Sequence, residues 1–497
     1  MITQTRLISA MIANSGMTER QFFAEEITRW KASEKRKNQL TGERYYRGDH
    51  DIRQRKRTVV GRDGKLEEVK NLPNNRIVDN QYGKMVDQKT NYLLGKPFKV
   101  QTEDEKYGPA LKSVFDRKFK RTLQNVEKSA LKAGIGWVYI YYDDRGNLAF
   151  KRLNPHEILP FWKDGEHTEL DCVVRVYELD AYEGVAQTVV ERVEIYWPDR
   201  IDRYILDGGV LIPDNDSPSV PYIRQAGDEV EAEGLSWGKV PIVAVKYNDL
   251  EIPLICKVKC IQDAINEMLS DFQNNMQEDS RNTVLVIRNY DGEDLGEFRH
   301  NLAAYGAVKV RSEGADGGGV DTLRVEISAD NYKAILEVLK RAMVENAMGF
   351  DAKDLRSSSP NQMNIQSMYS DVDLDANGME TELQASFEQL LWFINIHLAS
   401  AGKGDFEAAD VEIVFDRDMM MNEADAISSA RKSVGILSHE SVLAHHPWVS
   451  DPKIELGRIA IEKQGDEYYT AFMAAMKKKG ARAKKDPMDG EGDDGGP

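Results

Sequence analysis

Cysteine is scarce in this chain, with Cys172, Cys256 and Cys260 the only three among 497 residues. Cys256 and Cys260 stand four apart with no second pair to complete a zinc site, so all three read as reduced, structural thiols. Positive charge is in deficit too: 66 Lys and Arg face 83 Asp and Glu, a net charge of −17. That balance excludes avid phosphate binding spread over the whole surface, but not weak contact with a polyanion that must slide. Long apolar runs are missing, none approaching the roughly 20 residues that cross a bilayer. The N-terminal stretch, with Ile2, Leu7, Ile8, Met11 and Ile12 among polar residues, lacks the compact apolar centre and cleavage site of a signal peptide. A cytoplasmic protein with no membrane partner is expected.

Catalytic signatures are also missing. Gly234 to Lys239 ends in Gly-Lys without the earlier glycine and following Ser or Thr of a P-loop. There is no dinucleotide fingerprint, no His-Glu-x-x-His and no Gly-x-Ser-x-Gly. His445-His446 lies beside Pro447 and Trp448 with no acidic partner at helical spacing, and Asp416 and Asp418 end a strand at a turn, where Asp is common. No enzyme and no cofactor are expected.

What is present is a chain too long for one simple core, mixed α+β in character. The first 40 residues read as helical, with Phe22, Phe23, Ile27 and Trp30 on one stripe. The basic run Arg53-Gln54-Arg55-Lys56-Arg57 reads as a solvated loop, because no aromatic residues interleave with its charges as in a nucleic-acid platform. Residues 59–60 and 66–69 around Gly61–Gly64 form a hairpin, and a helix runs from 111 to 132. Residues 136–215 become β-rich, an antiparallel and locally connected sheet interrupted between Asn154-Pro155 and Trp162. Asp207 to Lys239 reads as loop, and 411–415 as a strand that returns to the main sheet. Helices follow at 423–433, 438–444, 452–462 and 466–478.

Two stretches stand out. From Leu254, apolar residues at Val258, Ile261, Ile265, Met268, Phe272 and Met276 step by three and four, with Asp263, Glu267 and Asp271 aligned in a row on the other side. Three carboxylates on one helix face are a solvated surface first and a divalent-ion site second. A small α/β insert spans 283–326. Residues 327–401 then read as a helix from Ser328 stopped by Gly349, a polar loop, and a helix from Ile365 whose apolar stripe runs through Tyr369, Val372, Leu383 and Phe387 to Leu398. At about 1.5 Å per residue that last helix is roughly 55 Å long.

Two segments carry a family resemblance. They are Tyr45-Tyr46-Arg47-Gly48-Asp49-His50-Asp51-Ile52 and the helix ending Tyr92-Leu93-Leu94-Gly95-Lys96-Pro97-Phe98. Over roughly residues 20–475 the chain resembles the portal proteins of long-tailed bacteriophages, the siphophage portal family. The resemblance implies an α+β portal fold: N-terminal region and wing (1–250), stem helix (251–282), clip (283–326), second stem helix (327–349), tunnel loop (350–364), long wing helix and returning strand (365–418), helical crown (419–480) and a disordered acidic tail (481–497). It implies a ring, usually a dodecamer, at one capsid vertex of the virion, through which double-stranded DNA is packaged and ejected. The implied partners are the terminase large subunit, a head-tail adaptor protein, and the major capsid and scaffolding proteins. Within that plan Lys353, Arg356, Ser357, Ser358, Ser359 and Asn361 meet DNA from the tunnel loop, and Asp263, Glu267 and Asp271 form an acidic wall. A reading from another class makes the same three carboxylates the metal site of a DNA-processing enzyme.

Overall fold

The computed structural model describes residues 4–60, 65–68, 72–183, 186–214, 218–223, 235–278, 284–288, 319–323, 329–351, 362–417, 423–444, 446, 448, 449, 452 and 454–464. The chain divides into two units, one of residues 1–351 with 369–418, the other of 352–368 with 419–497.

The first unit is layered. Helix α1 (Gln4–Ser15) precedes α2 (Glu19–Ala32), which opens with a capping box between Thr18 and Gln21, and α3 (Glu34–Tyr46) follows directly from the cap residue Ser33. Strands β1 (Thr58–Val60) and β2 (Leu66–Glu68) make the expected hairpin. Helix α4 (Gln81–Leu94) leads through Gly95 to β3 (Lys99–Gln101). The helix expected over 111–132 is two: α5 (Tyr107–Val114) and α6 (Arg117–Ala133). Asp116 makes the break, its carboxylate accepting the Phe119 N–H at 2.8 Å as a new N-cap.

The β-rich region forms two sheets rather than one. A three-stranded sheet pairs β4 (Ile135–Tyr142) with β5 (Leu148–Leu153) on one side and, across 100 residues of chain, β12 (Ile242–Lys246) on the other. A six-stranded antiparallel sheet runs β10 (Val210–Pro213), β9 (Arg200–Asp207), β8 (Ala186–Tyr196), β7 (Leu170–Glu183), β6 (Ile158–Trp162), with β11 (Ser219–Pro221) also on β9. The segment expected to interrupt the sheet is therefore its edge strand β6, where Pro160 is tolerated because an edge has spare donors to lose. Part of the expected loop after 207 is likewise β10 and β11.

Period-two alternation explains the stacking. Along β4 and β12, Ile135, Trp137, Ile242 and Ala244 enter the core between the sheets, while Val138, Ile140, Val243 and Val245 enter the core beneath the helices. Along β7, Val173 faces the inter-sheet core and Cys172, Val174 and Val176 pack against Phe23, Ile27 and Trp30 of α2. Cys256 and Cys260 are free and exposed.

Three longer helices complete this unit: α7 (Leu254–Glu278), α8 (Ala329–Asn346) and α9 (Gln362–Ser400), whose first residues belong to the second unit. Helix α9 begins three residues ahead of the expected Ile365, and its stripe from Tyr369 to Leu398 is buried as expected. The returning strand β15 (Glu412–Val414) pairs with β3, not with either large sheet. Of the expected insert, β13 (Val284–Arg288) and β14 (Gly319–Leu323) form an antiparallel pair, and its remaining elements lie outside the described residues. In the second unit α10 (Glu423–Ser433) matches its expected span, Ser438 caps α11 (His439–Ala444), and residues 454–464 are helical. The expected helix at 466–478 and the acidic tail lie outside the described residues.

One charge is buried without a partner. Both carboxylate oxygens of Glu127 on α6 lack a hydrogen bond, and burial together with the nearby Asp375 pushes its pKa up to about 8. The folded chain therefore keeps a proton on Glu127 that the unfolded chain releases near 4.5. Where the folded state binds more protons, stability falls as pH rises, here from about pH 4.5 to 8. Glu127→Gln is expected to remove this term, roughly 3–5 kcal/mol across the span, flattening the pH dependence of denaturant melts between pH 5 and 8.5.

Candidate functional site

Helix α7 carries two sets of polar residues, and the structure treats them differently. Gln262, Asn266, Ser270 and Asn274 repeat every four residues and are all buried. Each accepts a backbone N–H from the extended segment that precedes α4. Asn274 Oδ1 takes Asn75 N at 2.7 Å, Ser270 Oγ takes Ile77 N at 3.0 Å, Asn266 Oδ1 takes Asp79 N at 3.0 Å, and Gln262 Oε1 takes Tyr82 N at 2.9 Å. Gln262 Nε2 returns a bond to Asp79 O at 2.7 Å. A strand with no sheet to join thus pairs with a helix side-chain row, which satisfies donors that burial would otherwise leave unmet.

The residues 45–55 form a second strap along α7. Tyr45 Oη donates to Asp263 at 2.6 Å, and its ring stacks on His50 at 4.4 Å. His50 is fully buried, bonded through Nε2 to Tyr45 O at 2.9 Å and through Nδ1 to Asn266 Nδ2 at 2.8 Å. Burial pushes its pKa down, so the ring is neutral, with Nε2 donating to the carbonyl and Nδ1 accepting from the amide. Lys259 bridges Asp51 at 2.6 Å and Asp263 at 2.7 Å. Against the opposing effect of burial, Lys259 and Arg44 hold the Asp51 carboxyl well below the usual carboxylate range. Farther along, Arg55 Nη2 meets Asp271 at 2.6 Å, and Arg57 Nη1 donates to Pro73 O at 2.8 Å. The basic run expected to be a solvated loop is in this part a structural clamp.

The acidic row is thereby resolved residue by residue. Asp263 and Asp271 are ion-paired to Lys259 and Arg55, and Glu267 between them is exposed with no ion pair among the described residues. Among the described residues no group of three or more His, Cys, Asp or Glu is arranged to hold a metal ion. Lys353, Arg356, Ser357, Ser358, Ser359 and Asn361 lie outside the described residues.

The elements on either side of that polar segment are firmly anchored. Helix α8 packs antiparallel on α7: Tyr332 meets Phe272 at 5.1 Å and accepts from Asn275 at 3.0 Å, while Lys340 pairs with Asp79 at 2.7 Å. Its C-terminus is a Schellman turn, with Met348 N to Glu345 O at 3.0 Å and Gly349 N to Val344 O at 2.9 Å. Gly349, expected as the stop, is not the left-handed residue; Met348 is, at φ +49°. Gly349 is needed for closeness, since a Cβ there would lie 2.7 Å from Met85 Sδ and 2.8 Å from Gln88 Oε1. Buried Lys89 of α4 donates to Met348 O at 3.0 Å and to Asp375 of α9 at 2.6 Å, and Tyr247 Oη donates to the same carboxylate. Tyr92 Oη donates to Asp373 at 3.0 Å, and Arg417 binds Asp373 and Glu380. Phe98 packs among Phe115, Phe387 and Phe415. The segment 92–98 is thus the seat of the long helix.

Sequence reasoning found the acidic row and missed the buried polar one beside it. A Gln, Asn, Ser, Asn repeat at four-residue spacing is visible, but polar residues on a helix read as solvent-facing unless a partner short of acceptors is sought. Ser270→Ala leaves the Ile77 N–H without its acceptor and is expected to cost about 1–2 kcal/mol in chemical denaturation. Glu267→Ala, on the exposed side, is expected to stay within about 0.5 kcal/mol of wild type.

The geometry has counterparts in known proteins. The family model described as phage portal protein, SPP1 Gp6-like, matches residues 29–468. The portal protein of Bacillus phage SPP1 is 27% identical over 438 residues, covering 86% of this chain and 84% of that protein. The portal protein of Clostridium phage phiCD119 is 27% identical over 454 residues, covering 87% and 96%. Among solved structures, a chain from the neck of an empty GTA particle computed with C6 symmetry covers 73% of this chain and 89% of its own, at 12% identity and a TM-score of 0.39. With a match that takes in both straps, α7, α8 and the long helix, the chain belongs to the SPP1 Gp6-like family of phage portal proteins.

Proposed function

We propose that this chain forms a ring at one capsid vertex of a phage virion, and that double-stranded DNA passes through the axial channel during packaging and ejection. The observation that carries the ring is the outer face of α8. Ile335 and Val338 on that face are 49% and 67% exposed, although Leu336 and Leu339 beside them pack into the core. Apolar residues flanking a helix pair without cover are what a neighbouring subunit buries in a homo-oligomer.

In this reading α7 and α8 are the stem and the β13–β14 insert belongs to the clip, where the terminase large subunit and the head-tail adaptor protein dock. Residues 352–361 belong to the tunnel loop, the long helix to the wing and 419–480 to the crown, with the major capsid and scaffolding proteins around the ring. The role is structural rather than catalytic. A channel must pass a polyanion without gripping it, and phosphate contacts through Lys and Arg are what make binding strong. A net charge of −17, with Glu267 unpaired and Asp263 and Asp271 neutralised internally, favours a weakly repelling surface with few cations.

Negative-stain imaging of the purified full chain is expected to show rings with a central hole, and native mass measurement to show Val338→Asp shifted toward monomers. A wild-type protein that is monomeric at micromolar concentration overturns the proposal. Lys353→Ala with Arg356→Ala is expected to lower the fraction of particles retaining packaged DNA; unchanged packaging and retention would remove the loop cations from the mechanism.

A further inference from the structure

Far from the stem helices, a cavity of about 280 Å³ lies between α2, α3, β4 and β6. Its walls are unusually flat and aromatic. Trp137 and Trp162 stack at 6.0 Å, and His167 continues the stack on Trp162 at 4.9 Å. Trp30 stands in the same wall, and Ile8 of α1 contributes an apolar side.

Three polar atoms of the lining residues have no hydrogen-bond partner: the indole Nε1 of Trp137, that of Trp162, and Oε1 of Gln39. These residues are 1%, 5% and 4% exposed, so bulk water does not serve them. Leaving one buried polar group unmet costs about 1–3 kcal/mol, and three around one cavity is a concentration a folded chain rarely carries without a purpose.

The charges at the cavity are already matched. Lys35 and His167 both pair with the buried Glu251, and Glu26 pairs with Arg29 at 2.8 Å. An incoming charged group would find no free counter-charge there. Flat walls call for a planar ligand, two free donors call for acceptor oxygen or nitrogen, and the Gln39 oxygen calls for an N–H. Since a cavity of about 150 Å³ holds benzene, this one holds roughly ten non-hydrogen atoms.

We infer that this cavity is a binding site for a small, neutral, planar carboxamide or closely related heteroaromatic molecule, held between the tryptophans and bonded to their indole N–H groups and to Gln39. The site is separate from the proposed channel and does not depend on ring formation.

The probe is 4-fluorobenzamide, followed by ¹⁹F NMR line broadening with the full-length protein. Toluene serves as the apolar control and 4-fluorobenzoate as the anionic one. Saturable binding of the amide, with the benzoate at least about tenfold weaker, is expected. Trp137→Phe and Trp162→Phe keep the ring packing and remove one donor each, so each should weaken the amide about fivefold, one hydrogen bond's worth. Ile135→Phe, which fills the cavity from an apolar side, should abolish binding. Circular dichroism melts of each variant report whether it folds, and Gln39→Glu offers a polar change without loss of volume that should also weaken the amide. Absence of saturable amide binding to the wild-type chain, which would leave water as the only occupant, overturns the inference. So does binding that is equal for toluene, or unchanged in the folded Trp variants.

Discussion

Everything around the stem depends on meeting the backbone donors of residues 75–82. This segment runs extended beside a helix, so no neighbouring strand supplies its carbonyl partners. Asn274, Ser270, Asn266 and Gln262 supply side-chain oxygens instead. Without them at least four N–H groups would be shut away unpaired, each costing about 1–3 kcal/mol, a sum comparable to the whole stability of a typical domain. The second strap depends on the first, because Asn266 also supplies the amide that fixes His50, and His50 supports Tyr45, which holds Asp263. Buried polar networks of this kind specify one arrangement because a partly formed one is worse than none.

The same principle governs the long helix. Its apolar stripe fixes which face is inward, but a stripe alone permits sliding along the axis. The ion pairs of Asp375 with Lys89, and of Asp373 and Glu380 with Arg417, fix the axial position. Lys89 spends its remaining donor on the Met348 carbonyl, so the end of α8 and the early part of α9 are referred to one ammonium group.

Much of this was legible in the sequence where a single periodicity dominated. The stripes of α7 and α9 follow three-and-four spacing, the Asp143–Asn147 turn marks its hairpin, and the span 423–433 is bounded by its own turn residues. Non-local pairing was not legible. β12 joins β4 and β15 joins β3 through contacts that no local pattern encodes. The break at Asp116 was hidden because Phe115 and Phe119 continue the helical spacing of apolar residues across it. For the site, charge was visible but pairing was not: the sequence places Asp263 and Asp271 in an acidic row, and only the fold brings Lys259 and Arg55 against them. The motif residues Tyr45, His50 and Tyr92 carry the family likeness because each holds one of these distant partners in place.

The strap and α7 also behave as a vernier. Two residues of extended chain advance about 6.6 Å and four residues of helix about 6.0 Å, so the two scales nearly match but drift by roughly 0.6 Å per step. Three successive rungs absorb that drift, and the fourth is reached only after the chain has turned into α4, at Tyr82 rather than at residue 81. A shift of the helix by one residue would turn its oxygens about 100° away from the strap, and no intermediate shift satisfies more than a fraction of the rungs. Helix α7 therefore has one register against the strap or none, and any motion of the stem is passed on whole, as rotation of a rigid body, rather than dissipated as slippage.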